Sequence, residues 1–276
     1  MKLIGLMLVR NESWVLGCSI SAALRWCDEV VVVDDDSHDL TASIATRERS
    51  HVTTIQRSGQ HWDEMELRQK TLDIGRELGG THFAIIDADE VLTANLVPHV
   101  RGWFAQLEPK QVLDVPMIAC WKSLDQYAAD IQSVVTLGFR DHPDLCWKPR
   151  GEEKYQHHAR PPAGSDPQRI TQECEGGVFH LQFANWDRFI WKHRHYMMSE
   201  KVRWNYPDAE INSKYHWFES KGSIIMPVPS EWWDGHLREL ILNVGAPGWY
   251  EHEVYKMIAQ QKEGTFSKLD LFGMKL

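Results

Sequence analysis

Long apolar runs and paired cysteines are both missing from this sequence of 276 residues. No apolar stretch approaches the ~18 residues that a helix needs to cross a bilayer. The opening apolar run, residues 3–9, ends in Arg10-Asn11-Glu12 without the small-residue cleavage site of a signal peptide, which favours a strand. The five cysteines include no C-x-x-C pair, which indicates free thiols in a reducing compartment rather than a disulfide framework. We therefore expect a cytoplasmic protein.

An excess of positive charge and the common glycine-rich phosphate loops are missing as well. The formal net charge is −9 and the pI about 5.9, which argues against general attraction to nucleic acids. The Arg- and His-bearing segment 140–169 keeps that class of partner open. Neither G-x-G-x-x-G nor G-x-x-x-x-G-K-[ST] follows the first apolar run. Phosphate groups would therefore have to be met by a metal and by basic side chains such as Arg10 and Arg68.

Predicted strands and helices alternate over the first third of the chain. Short apolar and β-branched runs predict strands, and the amphipathic stretch 63–78 predicts a helix. This alternation predicts an α/β fold with a mostly parallel central sheet flanked by helices. The predicted strands are 3–9, 29–34, 52–55, 83–86, 111–119, 133–140 and 176–184, and the longer predicted helices are 40–47, 63–78, 94–107 and 186–204.

The stretch Phe83-Ala84-Ile85-Ile86-Asp87-Ala88-Asp89-Glu90 places three carboxylates directly after a predicted buried strand. In open α/β sheets, ligands bind at the carboxyl ends of the strands. Crowded acids resist ionisation there unless a cation or hydrogen-bond donors offset their charge. Because hard carboxylate oxygens suit Mg²⁺ or Mn²⁺, the stretch predicts a site for such an ion that leaves positions open for substrate phosphates. The alternative is a solvated acidic turn.

A second acidic cluster, residues 34–36, follows the second predicted strand. In a parallel sheet both clusters lie at the same edge, so one can hold a metal while the other contacts the polar edge of a ligand. This arrangement fits a nucleoside-diphosphate leaving group that a divalent cation activates. The alternative for residues 34–36 is a helix N-terminus, where acidic side chains are favoured.

Four motifs, in order, resemble those of the family-2 glycosyltransferases, which have the GT-A fold. They are the strand end LVRNE at 8–12, VVVDDDSHDLT at 31–41, WDE at 62–64 with Arg68-Gln69, and IIDADE at 85–90, which resembles the family's D-x-D metal motif. The resemblance implies a metal-dependent, inverting glycosyltransferase of the hexosyltransferase type. Such an enzyme moves a sugar from a nucleotide-sugar donor, here expected to be UDP-linked, to a hydroxyl of a glycan, a lipid-linked saccharide or another acceptor.

The resemblance also assigns roles to particular residues. It implies that Asp87 and Asp89 hold Mn²⁺ or Mg²⁺, with His180 as a further ligand. For Arg68 and His180, the alternatives are a surface arginine and a core histidine. The implied contacts with the nucleotide-sugar donor are Leu8, Arg10, Asn11, Glu12, Asp34, Asp35, Arg68, Asp87, Ala88 and Asp89.

The second half of the chain departs more from the family. The resemblance predicts a nucleotide-sugar-binding and catalytic domain at 1–184, with loop 141–175 as a lid, and a helical extension at 185–276 on the acceptor side. An inverting transfer needs a base near the acceptor hydroxyl, for which the candidates are Asp141, Glu153 and His157. The polar side chains of 192–196 are expected either to face the diphosphate or acceptor or to form a solvated helix face.

Three other functions stay open at this point. A nucleotidyltransferase that makes nucleotide sugars could use a similar sheet, but it usually carries a glycine-rich basic loop after its first strand. A non-catalytic nucleotide- or carbohydrate-binding protein of the same fold would bind UDP without turnover. A transferase that glycosylates a modified DNA base is disfavoured by the acidic net charge.

Overall fold

The computed structural model describes residues 1–48, 50–55, 64–148, 159–233 and 248–275. Short 3-10 turns occur at Ala94–Leu96, Leu181–Phe183, Trp217–Ser220 and Ser230–Trp232. The strands are β1 (Leu3–Val9), β2 (Glu29–Asp35), β3 (His51–Ile55), β4 (His82–Ile85), β5 (Glu90–Leu92), β6 (Val112–Ala119), β7 (Gln126–Ala128), β8 (Ser133–Arg140), β9 (Ile170–Thr171), β10 (Val178–His180) and β11 (Ile225–Pro227). The helices are α1 (Leu16–Ala23), α2 (Thr41–Arg47), α3 (Glu64–Glu77), α4 (Val97–Ala105), α5 (Trp186–Trp204), α6 (Asp208–Tyr215) and α7 (Trp249–Gln260).

Nine strands form one sheet in the order β3-β2-β1-β4-β8-β6-β10-β5, with β9 beside β6. The block β3-β2-β1-β4 is parallel throughout, and β6 is parallel to both β9 and β10. β8 runs antiparallel to β4 and β6, and β5 runs antiparallel to β10. The predicted α/β fold, with a mostly parallel sheet flanked by helices, is therefore confirmed.

Helices cover both faces of the parallel block, which explains why its strands are continuously apolar. Alternate side chains of β1 belong to different sides of the sheet. Leu3 and Met7 share a buried cluster with residues of α1 and α4, whereas Ile4 and Leu6 share one with residues of α3. A strand that is buried on both faces needs no polar alternation, so polar groups are left to gather where the strands end.

Among the described residues after β10, helices α5, α6 and α7 are the main regular elements. Side chains of α5 and α7 meet in a buried cluster that includes Met197, Met198 and Val254. β11 pairs with β7 in a separate two-stranded sheet. Among the described residues, no helix combines the length and the apolar character that a bilayer crossing requires. The division of the chain at residue 184 stays a prediction.

Two predicted elements differ in extent from the observed ones. Of the strand predicted at 176–184, only Val178–His180 forms a strand, β10, and the chain then enters a 3-10 turn. Its antiparallel neighbour β5 has three residues, so a longer β10 would find no partner on that side. The helix predicted at 94–107 is divided into a 3-10 turn and α4. Pro98 lies at the start of α4, where the missing N–H of proline is best tolerated.

The side chain of His82, at the start of β4, is expected to make stability depend on pH. His82 is 6% exposed, and its Nε2 atom has no hydrogen-bond partner among the described residues. Burial, together with Arg140 and the N-terminal amine, lowers the pKa of His82 from 6.5 to about 4. The unfolded chain therefore binds a proton that the folded chain does not, and the free energy of unfolding falls as the pH drops from 6.5 towards 4.

Replacing His82 with asparagine should remove this part of the pH dependence. We expect the loss of unfolding free energy over that pH range, measured by urea denaturation, to shrink by about 1–3 kcal/mol in the variant. His99→Asn, at an exposed position of α4, is the matched control and should leave the slope unchanged. Equal slopes for wild type and His82→Asn would contradict the prediction.

Candidate active site

A cavity of about 650 Å³ opens at the carboxyl ends of β1 and β4. This volume lies within the range of small-molecule sites. Its walls come from the end of β1, the turn after β4, and helices α5 and α7. The cavity therefore combines the two halves of the chain. The predicted site residues that line it are Leu8, Arg10, Glu12, Arg68, Asp87, Ala88, Asp89 and His180.

The turn after β4, residues 87–90, is fixed by hydrogen bonds. The backbone N–H of Asp87 donates to Oε2 of Glu90 at 3.1 Å, and the N–H of Glu90 donates to the carbonyl of Asp87 at 3.0 Å. The carbonyl of Asp89 accepts from the N–H of Leu181 at 2.8 Å, at the point where β10 ends. The main chain of the turn is thus held in place before any ligand binds, which is what a binding site requires.

Arg160 forms hydrogen bonds with two of these acidic side chains. Its two terminal nitrogens each lie 2.7 Å from an oxygen of Glu90, and Nη1 also lies 3.0 Å from Oδ2 of Asp87. The other N–H groups donate to the carbonyls of Ile85 at 2.8 Å and Thr136 at 3.2 Å. A guanidinium has five N–H groups, and all five are used here.

Arg68 of α3 also faces the turn. Its Nε donates to Glu64 at 2.7 Å and its Nη2 to Asp87 at 3.3 Å. Arg68 is 9% exposed, so it is not the surface arginine of the alternative interpretation. Burial alone would raise the pKa of Asp87, but Arg160 and Arg68 outweigh burial and hold that pKa well below its usual range. Asp87 is therefore an ionised carboxylate between two arginines.

Asp89 is paired more loosely. Nζ of Lys192, on α5, lies 3.4 Å from Oδ2 of Asp89, and Nε2 of His180 lies 3.9 Å from Oδ1. Burial alone would raise the pKa of Asp89, but the ammonium group of Lys192 outweighs burial and lowers that pKa. Burial also lowers the pKa of His180, so its imidazole is neutral and one ring nitrogen carries a lone pair.

The donor set around Asp89 fits a divalent cation only if a ligand completes the coordination. Among the described residues, no three metal-ligating side chains converge on one point. Mg²⁺ in phosphate sites, however, is usually held by one or two carboxylates together with phosphate oxygens and waters. Asp89 and a neutral His180 face the same cavity and meet that need. Asp87 is less available, because both of its oxygens accept from arginines.

The end of β1 supplies a cation and an aromatic face. Nη1 of Arg10 donates to Oδ2 of Asp35 at 3.3 Å, and the guanidinium carbon lies 5.5 Å from the ring centroid of Trp249 on α7. Leu8 lies in the same wall of the cavity. Helix α7 therefore contributes directly to the part of the cavity in which the motif LVRNE ends.

Asn11, Asp34 and Asp35, which were predicted to contact the donor, lie behind the cavity wall. Asn11, at φ 52°, accepts from the N–H of His38 at 2.8 Å and donates its own N–H to Oγ of Ser37 at 2.9 Å. The same hydroxyl donates to Asp34, whose pKa burial raises. These bonds fix the loop after β2 against the end of β1, so the three residues support the wall rather than form it.

Glu12 lines the cavity but is already paired. Its Oε2 lies 2.6 Å from Nη2 of Arg188 on α5 and accepts from the indole N–H of Trp14 at 2.7 Å. The guanidinium of Arg188 lies 5.1 Å from the ring centroid of Tyr250 on α7. This buried group joins the end of β1 to α5 and α7, two of the C-terminal helices that line the cavity.

Asp141 is not placed to act as the general base, contrary to the prediction. It accepts two hydrogen bonds from Arg76, at 2.8 and 2.9 Å, and its N–H donates to the carbonyl of Thr81. Thr81 precedes β4, whereas the cavity lies at the other end of that strand. Because β8 runs antiparallel to β4, the residue after β8 returns to the opposite edge of the sheet. Glu153 and His157 lie outside the described residues.

The segment predicted as a lid, 141–175, is anchored wherever the structure describes it. Cys146 pairs with Ala163 as a β-bridge, Arg160 is bonded to the carboxylate turn, and β9 pairs with β6. Residues 149–158 lie outside the described ranges. Arg160, Arg188 and Trp249 are among the site residues that the sequence did not reveal, because each acts through neighbours that are distant in the chain.

Comparisons with known proteins find likeness in structure alone. No protein-family model matches the sequence, and no curated protein matches it. Residues 1–349 of TarS from S. aureus match with a TM-score of 0.45 and 14% identity, over 80% of this chain and 72% of that chain. Glucosyl-3-phosphoglycerate synthase from Mycobacterium tuberculosis, solved with Mn²⁺, UDP and phosphoglyceric acid, matches with a TM-score of 0.35 and 19% identity, over 42% of this chain. The chain spans 43% of the length of that synthase, and likenesses of this size carry no argument about function.

Proposed function

We propose that the protein is a glycosyltransferase that moves a sugar from a nucleotide-sugar donor to a hydroxyl of an acceptor. The observation that carries the proposal is the fixed carboxylate turn 87–90, which faces a cavity at the carboxyl edge of β4. The pair formed by Arg10 and Asp35 lies at the same edge, at the ends of β1 and β2. The two groups together support the proposal that a nucleoside and its diphosphate bind side by side in this cavity.

The donor would bind across this edge of the sheet. Leu8 and Arg10 would contact the base and ribose, with Asp34 and Asp35 supporting Arg10 from behind. Asp89 and His180 would hold Mn²⁺ or Mg²⁺ together with oxygens of the diphosphate, and the cation would supply positive charge for the departing nucleotide. Because hydrogen bonds already fix the main chain of the turn, the backbone at Asp89 needs little rearrangement when the donor binds.

The transfer that we propose inverts the anomeric centre. The acceptor oxygen attacks the anomeric carbon, the bond from that carbon to the diphosphate oxygen breaks, and a base takes the proton of the acceptor hydroxyl. Glu153 and His157 remain proposals for that base. Tyr215 and Trp217 line the part of the cavity formed by the C-terminal helices, where flat aromatic rings suit the faces of a sugar acceptor.

We also propose the identity of the donor, the class of acceptor and the location of the protein. They are a UDP-linked hexose as donor, a glycan, a lipid-linked saccharide or another hydroxyl compound as acceptor, and a cytoplasmic location. The UDP assignment derives from the motif resemblance, and the location derives from the scattered free cysteines. The helical part after residue 184 is proposed to select the acceptor, because its side chains complete the cavity.

Binding of a nucleotide to the donor site is expected to raise the melting temperature of the protein in a cation-dependent manner. A ligand that binds only the folded state stabilises it by about 2.7 kcal/mol at a concentration 100 times its dissociation constant. The experiment is a thermal-shift panel of UDP, GDP, CMP, TDP and their common sugars, each with Mn²⁺ and with EDTA. We expect a shift with UDP compounds that disappears in EDTA.

The panel, together with assays of turnover, distinguishes the proposal from its alternatives. No shift with any nucleotide would overturn the proposal. A shift with UDP but no transfer or donor hydrolysis would indicate a binding protein of the same fold. Release of pyrophosphate from a nucleoside triphosphate and a sugar phosphate would indicate a nucleotidyltransferase.

A further inference from the structure

The three carboxylates of the turn 87–90 are neutralised in two different ways. Arg160 holds Asp87 and Glu90 at 2.7 to 3.0 Å. Asp89 has Lys192 as its ion-pair partner, at 3.4 Å. Charge-assisted hydrogen bonds are usually 2.7–2.9 Å long, so the contact with Lys192 is a loose one. Asp89 is therefore the carboxylate of the turn that most easily exchanges its partner.

Lys192 has hydrogen-bonding capacity to spare. An ammonium group has three donors, and Asp89 is the one acceptor that the described residues offer to Nζ. The side chain is 11% exposed and lines the cavity. Burial alone would lower the pKa of Lys192, but Asp89 outweighs burial and raises that pKa, so the group stays an ammonium ion.

The neighbouring cations are less free to change partners. Arg160 uses all five of its N–H groups within the protein. Arg68 is held by Glu64 and Asp87, and Arg188 is held by Glu12. Arg68 and Arg188 each keep a carboxylate oxygen within 2.7 Å, whereas the ion pair of Lys192 with Asp89 is 3.4 Å long. Lys192 is thus the cation of this group without a close carboxylate contact.

We propose that Lys192 is an internal counter-ion of Asp89 that is exchanged when the donor binds. Without a donor, the ammonium group neutralises Asp89. When a divalent cation binds to Asp89 and His180, like-charge repulsion moves Nζ away, and the diphosphate that arrives with the cation offers it new acceptors. This inference rests on the proposed function, because it takes the ligand of the cavity to be a nucleoside diphosphate.

The exchange makes cation binding and nucleotide binding depend on each other. In the empty site a cation must separate Lys192 from Asp89 without a diphosphate to receive the ammonium group, so it binds weakly. With the diphosphate present the displaced ammonium is stabilised, so the cation binds tightly. By linkage, the factor by which UDP raises the affinity for Mn²⁺ equals the factor by which Mn²⁺ raises the affinity for UDP.

Replacing Lys192 with methionine tests the exchange directly. The variant keeps the length of the side chain but lacks its charge, so Asp89 is left without its internal counter-ion. We expect Mn²⁺ alone to bind the nucleotide-free variant at least about 5-fold more tightly than it binds the wild type, a factor at the lower end of common couplings. The affinity for UDP in Mn²⁺ should fall. Binding is measured by electron paramagnetic resonance of free Mn²⁺ and by titration calorimetry with UDP.

Lys201→Met is the matched control. Lys201 lies on the same helix and forms an ion pair with Asp208 at 3.1 Å, but it does not line the cavity. Both of its binding constants should equal those of the wild type. Lys192→Arg keeps the charge and should keep weak binding of Mn²⁺ alone. Lys192→Gln replaces the methionine variant if that variant does not fold.

The outcomes separate this inference from the proposed function. If Lys192→Met leaves the affinity for Mn²⁺ alone unchanged or lower, the counter-ion role is overturned even if UDP binds. If the wild type binds no nucleotide in the presence of Mn²⁺, the proposed function is overturned, and the inference that rests on it is overturned with it. If UDP and Mn²⁺ bind the wild type independently of each other, the coupling fails while the donor site stands.

Discussion

Replacing Asp89 with asparagine is expected to lower sugar transfer, and hydrolysis of the donor, at least about 100-fold, the usual effect of removing one group that stabilises developing charge. Asparagine has nearly the same shape, but it lacks the negative charge that would hold the cation beside the diphosphate. The turn itself should persist, because its bond to Leu181 comes from the main-chain carbonyl of residue 89. The measurement is the initial rate of UDP release from the donor at saturating Mn²⁺.

A binding measurement separates this effect from misfolding. The part of the UDP-induced rise in melting temperature that requires Mn²⁺ should disappear in Asp89→Asn, while circular dichroism stays unchanged. Asp73→Asn, at an exposed position of α3, is the matched control and should release UDP at the wild-type rate. An Asp89→Asn variant with wild-type turnover would exclude the proposed role of this carboxylate.

The parallel strands of the sheet could be predicted from the sequence, because each strand is marked by its own continuous apolar run. Val30 to Val33 are completely buried, so the apolar run that marks β2 reflects coverage of both faces by helices. The carboxyl ends of the parallel strands follow from that order, and with them the position of residues 87–90. The sequence therefore predicts that Asp87 and Asp89 lie at this edge of the sheet. It does not predict the cavity that they line there.

The rest of the site could not be predicted, because it depends on contacts between distant residues. Arg160 lies in a stretch without periodicity, 70 residues from Glu90, and only the folded chain shows that they meet. The prediction of Asp141 as the general base was wrong for a related reason. The sequence indicates that β8 is a strand but not that it runs antiparallel to β4, and that direction carries Asp141 to the edge away from the cavity.

Replacing Arg160 with methionine is expected to lower the free energy of unfolding by about 3–5 kcal/mol, the usual cost of removing one partner of a buried ion pair. Glu90 is 2% exposed and would lose both of its bonds to the guanidinium. Asp87 would lose one of its two arginines and face Glu90 with less compensation. The carbonyls of Ile85 and Thr136 would lose donors as well. Urea denaturation followed by tryptophan fluorescence measures the change.

Arg101→Met is the matched control, because the ion pair of Arg101 with Asp28 is 40% and 37% exposed on its two sides. A pair in contact with water contributes little, so this variant should lose no more than about 1 kcal/mol. Arg160→Lys should recover only a small part of the loss, since three ammonium donors cannot replace five guanidinium N–H groups in their fixed plane. A loss for Arg160→Met no larger than that for Arg101→Met would show that the carboxylate turn is held by its backbone bonds. The geometry favours the opposite result, because the guanidinium contacts two of the three acids and the end of β4 at once.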